Sequence, residues 1–379
     1  MYGPQGWADL PDALLESIAS LLVVSFPDLL AFAATCSSWR AAFAQFSSLL
    51  PPLLLQTDVP LCSPRPRPYS SSLVPRRPCY VTNLATQNMY MCCQIPLFCH
   101  FGKRNGLPSP LDKYVFIGAS YGHLILSHKQ SCLVVDVFTG VSVSPPQLLV
   151  KEDTQLYYGA LTVPLASANS HLMVTTWSHS FFWRVGSHSW VRRSTHGKLI
   201  NRVVVFKGQV FGTNNNGELF IVHLVPQIRL QNILDGQGKS MMFSRAHCFR
   251  WLVACGDMLL MVGYQPYPST GDTFEAFRLD LSAEAGKWVK VEKLENSAIF
   301  ISTDDRSQAL CYMNPERWGG RSNCIYCYDS KEWIACELGN PLQPILGLNS
   351  FCRGSMMQPM WVVPSMLYLC PQLLIVLMP

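Results

Sequence analysis

Tyr114-Val-Phe-Ile-Gly-Ala-Ser120, Tyr121-Gly122, His123-Leu-Ile-Leu-Ser127, Ser131-Cys-Leu-Val-Val-Asp-Val-Phe-Thr139 and Val141-Ser-Val-Ser144 stand in one run of 31 residues. Short β-branched and aromatic runs broken by Gly, Ser and Lys-Gln turns read as four strands in series. The same grammar recurs downstream. Leu156–Val163, His171–Trp177, Ser180–Val185 and Trp190–Ser194 form a second set, and Asn201–Phe206, Gln209–Gly212, Glu218–Leu224 and Arg229–Asn232 a third. Phe249–Ala254, Met258–Tyr264, Thr273–Leu281 and Trp288–Leu294 form a fourth; Ala298–Ser302, Ala309–Met313, Asn323–Tyr328 and Trp333–Leu338 form a fifth. Their first-hairpin turns, near Gly122, Ser170, Gly208, Gly256 and Ser307, lie 48, 38, 48 and 51 residues apart. Four strands per unit at that spacing is the arithmetic of a β-propeller. Strands left over at both ends, Cys79–Leu84, Asn88–Ile95 and Met360–Val363, predict a shared closing blade, for six in all.

Ahead of the strands, residues 9–50 read as three short helices. Asp9 caps and Pro11 starts the first, and Leu14, Leu15, Ile18, Leu21 and Leu22 give it an apolar stripe. Pro27-Asp28 starts the second, and the third carries Cys36, Trp39, Arg40 and Phe43. Helices this few cannot hide all their apolar surface, so the surplus predicts a partner. The chain therefore reads as α+β multidomain: a small helical module at 5–50, a Pro/Arg-rich linker at 51–78, an all-β propeller of about six four-stranded blades at 79–365, and an apolar tail at 366–379. Pro364 and Pro371 break the uncharged run from Trp361 to Met378, which reads as buried strand in preference to a membrane anchor.

Hydrophobic residues make up 49% of the 379 and charged residues 14%, which excludes a disordered chain and leaves a weakly charged surface. Residues 1–50 carry Asp9, Asp12, Glu16 and Asp28 against Arg40, whereas 60–78 carry Arg65, Arg67, Arg76 and Arg77 and no acid. From Cys79 onward there are 24 basic and 19 acidic side chains, too even a balance for a nucleic-acid footprint. The 15 cysteines are scattered through apolar segments and are expected to be reduced thiols of a nuclear or cytoplasmic protein.

Trp7-Ala-Asp-Leu-Pro-Asp-Ala-Leu-Leu-Glu-Ser-Ile18, Phe26-Pro-Asp-Leu-Leu-Ala-Phe32 and Thr35-Cys-Ser-Ser-Trp-Arg-Ala-Ala-Phe43 resemble an F-box. The resemblance implies a Skp-type adaptor and, through it, a cullin scaffold. The implied contacts are Leu10, Pro11, Leu14, Leu15, Ile18 and Leu29, with Cys36, Trp39 and Arg40 closing the module. Ala31 and Ala33 stand where relatives often carry a basic residue. Tyr121-Gly-His-Leu-Ile-Leu126, Val205-Phe-Lys-Gly208, Leu252-Val-Ala-Cys-Gly-Asp-Met-Leu-Leu-Met-Val262 and Trp361-Val-Val-Pro-Ser365 resemble plant F-box proteins with a KIB-type, kelch-like propeller. Where those relatives show Asn-Pro before a Thr-Gly turn, this chain has Asp136-Val-Phe.

Enzyme-like signals are isolated. Cys324-Ile-Tyr-Cys327 has metal-pair spacing, but residues three apart on a strand face opposite sides. Histidines such as His171, His179, His188 and His196 read as surface or turn groups, and Asp304-Asp305 as a solvated turn. The expected function is that of a non-catalytic substrate receptor of a ubiquitin ligase, binding an unknown target protein and no cofactor, metal, nucleic acid or membrane. The rival readings are a non-degradative F-box scaffold and a kelch-type propeller oxidase, which requires clustered metal ligands.

Overall fold

Alternation along the first strands sends side chains into two different cores. Ile117, Ile125 and Val134 pack on one side, Phe116, Leu124, Leu133 and Val135 on the other. A sheet with both faces buried needs apolar residues at nearly every position, and the strands of this set are buried almost throughout. The structure, a computed structural model, describes residues 6–22, 26–46, 52–57, 77–83, 89–95 and 114–365, less 152–153, 196–198, 244–246, 248, 266–272, 282–284, 303, 330–331 and 341–358. The core of the expected linker and the C-terminal tail lie outside the described residues. Three helices, α1 (Asp12–Leu22), α2 (Phe26–Thr35) and α3 (Ser37–Phe46), precede a six-bladed propeller of four-stranded sheets.

Blades 1 to 4 are meanders in chain order. Blade 1 comprises β4 (Val115–Ser120), β5 (His123–His128), β6 (Ser131–Asp136) and β7 (Ser142–Val143), and blade 2 β8 (Tyr158–Leu161), β9 (His171–Thr175), β10 (His179–Arg184) and β11 (Trp190–Ser194). Blade 3 comprises β12 (Ile200–Phe206), β13 (Gln209–Asn214), β14 (Leu219–His223) and β15 (Arg229–Asn232). Blade 4 comprises β16 (Phe249–Cys255), β17 (Met258–Gln265), β18 (Thr273–Asp280) and β19 (Lys287–Val291). Asp136 replaces the expected Asn-Pro turn chemistry directly: its Oδ1 accepts from the backbone N–H of Phe138 and of Thr139, at 2.8 and 3.0 Å.

Blade 5 departs from the meander. It contains β20 (Ser297–Phe300), β21 (Leu310–Met313), β22 (Cys324–Asp329) and β23 (Glu332–Glu337), but their order is β21-β20-β22-β23, with β20 and β22 parallel. A 3-10 turn at Pro315–Trp318 lies between β21 and β22 and accommodates this parallel crossover. Cys311 on β21 forms a disulfide with Cys255 on β16, their Cα atoms 5.2 Å apart. This bond between blades 4 and 5 corrects the expectation that every cysteine is a free thiol; two apolar strands brought side by side by the ring meet at these residues.

Blade 6 draws on both ends of the chain. β24 (Met360–Val362) pairs with β1 (Leu53–Thr57), then β2 (Arg77–Asn83), then β3 (Met89–Ile95). The shared blade is as the leftover strands suggested, with one correction: Leu53–Thr57, read as the start of the linker, is a strand of the propeller. Its Pro-Leu-Leu-Leu-Gln-Thr sequence borders the proline-rich stretch and is too short to show a period of its own.

Side chains around β24 fix the ring on both flanks. Trp361 donates from Nε1 to the Ile301 carbonyl at 2.9 Å, and its ring meets Phe300 edge-on at 5.2 Å. On the other flank, the Ser365 hydroxyl bonds the Asp136 carboxylate of blade 1. A Cβ on Gly122, whose φ is +75°, would lie 2.6 Å from the Val363 carbonyl, so a glycine is required in that turn both for conformation and for clearance. Trp361→Ala is expected to cost about 3–5 kcal/mol, read as a lower urea midpoint. An unchanged midpoint would show that closure does not depend on this side chain.

Candidate functional site

Helix α1 carries two apolar stripes. Leu15 and Ala19 are fully buried and Leu22 half-buried, in a core with Leu29, Phe32 and Phe43. Pro11, Leu14, Ile18 and Leu21 follow at spacings of three, four and three and form a second stripe about 100° round the helix. Leu14 is 52% and Leu21 79% exposed; Pro11 is exposed and Ile18 half-buried.

The residues read as adaptor contacts therefore fall into two groups. Pro11, Leu14 and Ile18 lie on the outward stripe, and Leu10 is half-buried beside it. Leu15 and Leu29, at 0% exposure, form the interior that supports the stripe from behind. A leucine run without a fixed helix phase does not separate the two, which is why both appeared as contacts. Leu21, part of the expected apolar stripe, and Trp7, 76% exposed, are not among the implied contacts; the three-four-three spacing from Pro11 places Leu21 on the outward face.

The closing residues hold the module together. Trp39 stacks obliquely on Phe32 at 4.6 Å and donates from Nε1 to the Trp7 carbonyl at 2.8 Å, while Arg40 Nε donates to the Ala33 carbonyl at 3.2 Å. Cys36 precedes α3, its Sγ 3.1 Å from Ser38 Oγ. That hydrogen bond, with backbone N–H groups, holds the Cys36 thiol below its ordinary pKa.

A second constellation crosses the middle of the ring. Residues 302 and 304–308, between β20 and β21, touch blades on several sides. Ser302 accepts from Trp251 Nε1 of blade 4 at 3.2 Å and from the Trp361 N–H of blade 6 at 3.2 Å. Ala119 of blade 1 exchanges backbone hydrogen bonds with Arg306 and Gln308, at 3.1 and 3.0 Å. Asp305 faces Arg202 of blade 3 at 3.9 Å. A segment of blade 5 with these partners lies across the axis.

Its anchor is a fork of two bonds at 2.8 Å from the Arg306 guanidinium to both Asp304 oxygens. A third bond, from Nη1, reaches the Phe116 carbonyl at 2.8 Å, and the guanidinium lies 4.8 Å above the Phe116 ring. Burial works against this charge, but the hydrogen bond and charge of Asp304 raise its pKa overall. Asp304, read as solvated, has a side chain only 3% exposed; the turn is polar because it must satisfy itself in the channel. Burial likewise pushes Tyr121 up to about 12, opposed by its bond with Gln308, and pulls Arg202 down.

The other chemistry-bearing groups make local contacts within the propeller. His123, Asp136 and Ser365 cluster, but the Ser365 hydroxyl donates to the Asp136 carboxylate and His123 Nδ1 faces the Tyr121 carbonyl at 2.8 Å, so the imidazole does not address the hydroxyl. His171, read as a surface or turn group, is buried, its Nδ1 2.8 Å from the Asn169 carbonyl. Cys324 and Cys327 enter different cores, as their strand spacing requires. Cys327 instead hydrogen-bonds Cys336 and lowers its pKa. Among the described residues, no three His, Cys, Asp or Glu side chains gather closely enough to hold a metal ion, and no helix is long and apolar enough to cross a membrane.

The sequence profile of the KIB1-4 beta-propeller family matches residues 95–345. The chain belongs to that family. No curated protein sequence matches it closely enough to serve as a relative. Similar solved structures include the WD40 domain of SCAP from fission yeast, at 10% identity and TM-score 0.30, with 60% of this chain and 54% of that one covered. Another is the extracellular domain of a putative one-component system from B. thetaiotaomicron, at 10% identity and TM-score 0.31, with 69% and 37% covered. PorZ, a surface component of the type-IX secretion system of Porphyromonas gingivalis, is similar at 9% identity and TM-score 0.28, with 75% and 46% covered. The chain thus spans 54% or less of each of these three structures, and at such scores the likeness carries no argument.

In this KIB1-4 propeller the Asp304–Arg306 fork is an ion pair with both side chains largely buried, 3% and 15% exposed. Arg306→Ala is expected to destabilise the fold by about 3–5 kcal/mol, because it strands a buried carboxylate. Removing both charges in Asp304→Ala/Arg306→Ala should cost less than Arg306→Ala alone. Equal losses in urea unfolding would contradict the pairing.

Proposed function

We propose that the protein is a non-catalytic substrate receptor of a Skp-cullin-F-box type ubiquitin ligase, whose helices hold the Skp-type adaptor and whose propeller holds a target protein. The observation that carries this reading is the outward stripe of α1: a small module of three helices buries one apolar face and leaves Leu14 and Leu21 in solvent. An apolar row on so small a module is stable in water only at a cost, and a partner's groove removes it. The ordered match of Leu10-Pro11, Asp28-Leu29-Leu30 and Cys36-Ser-Ser-Trp39-Arg40 to the F-box pattern supports the same occupant.

The contribution to ubiquitination is then positional. The adaptor fixes the helices to a cullin scaffold, and the propeller carries target lysines towards a charged ubiquitin carrier. Holding two reactants at close range raises their effective concentration without any covalent step on this chain.

Leu14→Asp/Leu21→Asp places two charges on the exposed stripe and leaves the Leu15 core intact. Co-purification of a Skp-type adaptor is expected to fall by at least about tenfold, with the melting temperature unchanged. Undiminished adaptor recovery from a folded double variant would overturn the reading.

A further inference from the structure

Near-balance of charge over the whole body conceals a strongly uneven distribution among the blades. Residues 154–234, which contain blades 2 and 3, hold seven Lys and Arg and five His against one acid, Glu218. That is a net charge of +6 in a chain of net +5, so the rest of the protein sums to −1. The single carboxylate in the sector is engaged, accepting from Asn214 Nδ2 at 2.7 Å.

Geometry gathers part of this charge at the outer strands. β11 and β15 are each the last strand of their sheets, the position where an extended chain can add by backbone pairing. Arg193 on β11 reaches across the seam and donates from Nε to the Ile228 carbonyl at 2.7 Å, which brings it beside Arg229 at the start of β15. Arg192 and Arg229 are exposed, and among the described residues neither meets a carboxylate. Arg192 instead lies 2.6 Å from His179 Nε2, while Ser178 Oγ lies 2.7 Å from its Nδ1. Burial and the Arg192 charge lower the His179 pKa, so that a neutral ring accepts from the arginine. Apolar side chains are interleaved with the cations: Val191 of β11 is 39% exposed, and Val225, ahead of β15, is 70% exposed.

We propose that the outer strands of blades 2 and 3 form a docking surface for an extended, acidic protein segment, with Arg192, Arg193 and Arg229 as its counter-charges. Arg192 and Arg193 lie on opposite faces of β11, with Arg193 towards blade 3. A segment added along this edge would meet Arg192 with carboxylates on one face and Arg193 and Arg229 with carboxylates on the other, its apolar residues covering Val191 and Val225. A nucleic acid fits less well. Three arginines on two short strands neutralise few phosphates, and exposed valines offer nothing to a sugar-phosphate backbone. This inference rests on the propeller being the target-binding part of the receptor, and is independent of what the helices hold.

The test uses the full chain without adaptor and three fluorescent probes: a twelve-residue peptide alternating Glu and Val, the same peptide with Lys for Glu, and a single-stranded oligonucleotide of equal charge to the first. The Glu peptide is expected to bind, to weaken as salt rises, and to lose at least about tenfold in affinity with Arg192→Glu/Arg229→Glu. Lys287→Glu, on the outer strand of blade 4, should leave binding unchanged. Melting curves of the variants separate lost binding from lost fold, and the single variants Arg192→Gln and Arg229→Gln provide the same test should the double variant not fold. No binding of the Glu peptide, binding indifferent to these arginines, or tighter binding of the oligonucleotide would each overturn the proposal. Adaptor co-purification measured on the same variants distinguishes this failure from failure of the ligase reading, since the blade variants are expected to leave it unchanged.

Discussion

Antiparallel pairing of β24 with β1 is the constraint on which the rest of the structure depends. Three registered pairs, Leu53 with Val362, Leu54 with Trp361 and Leu55 with Met360, join segments some 300 residues apart in the chain. Without them blade 6 lacks its inner strand, and the ring has two open edges. The pairing also sets the placement of the helices, because α3 ends at Phe46 and β1 begins at Leu53. Leu15, Leu29 and Phe43 belong to the same continuous apolar cluster as Leu54 and Ile117. Leu30 of α2 also packs against the core that Leu53 and Leu55 share with Phe116, so the helices contact the propeller through apolar side chains.

Blade 5 shows how the ring fills its own centre. Placing β21 on the inside, with β20 behind it, turns the connecting segment into the channel, where Asp304 and Arg306 neutralise each other. Such a pair gains little net stability, since desolvation offsets much of its attraction, but it is costly to break. The consequence is specificity of arrangement: one arginine simultaneously engages Asp304, the Phe116 carbonyl and the Phe116 ring.

Much of this was legible in the sequence, and the exceptions have physical causes. Strands such as His123–His128, Trp190–Ser194 and Arg229–Asn232 fall where alternation and turn residues place them, because local pattern and tertiary burial agree. The strand exchange in blade 5 was not legible, since a parallel neighbour leaves the same local pattern as an antiparallel one. Leu53–Thr57 was hidden because five residues beside a proline-rich stretch carry too little periodicity. On the helices, sequence identified the apolar residues, but helical phase is needed to divide Leu15 and Leu29 from Leu14 and Leu21. The basic sector was missed for a different reason: a charge sum over the whole body averages away an asymmetry that appears only when residues are grouped by blade.

Native-state hydrogen exchange tests the closing pair most directly, because it reads the opening free energy of each strand separately. If β1 and β24 close the ring, their paired amides should open only with the whole propeller. They should then show the same free energy of exchange, and the same dependence on denaturant, as the amides of β12 and β16. Exchange at β1 and β24 faster by several orders of magnitude, with β12 and β16 still protected, would show a ring that stands without its clasp and would contradict the account.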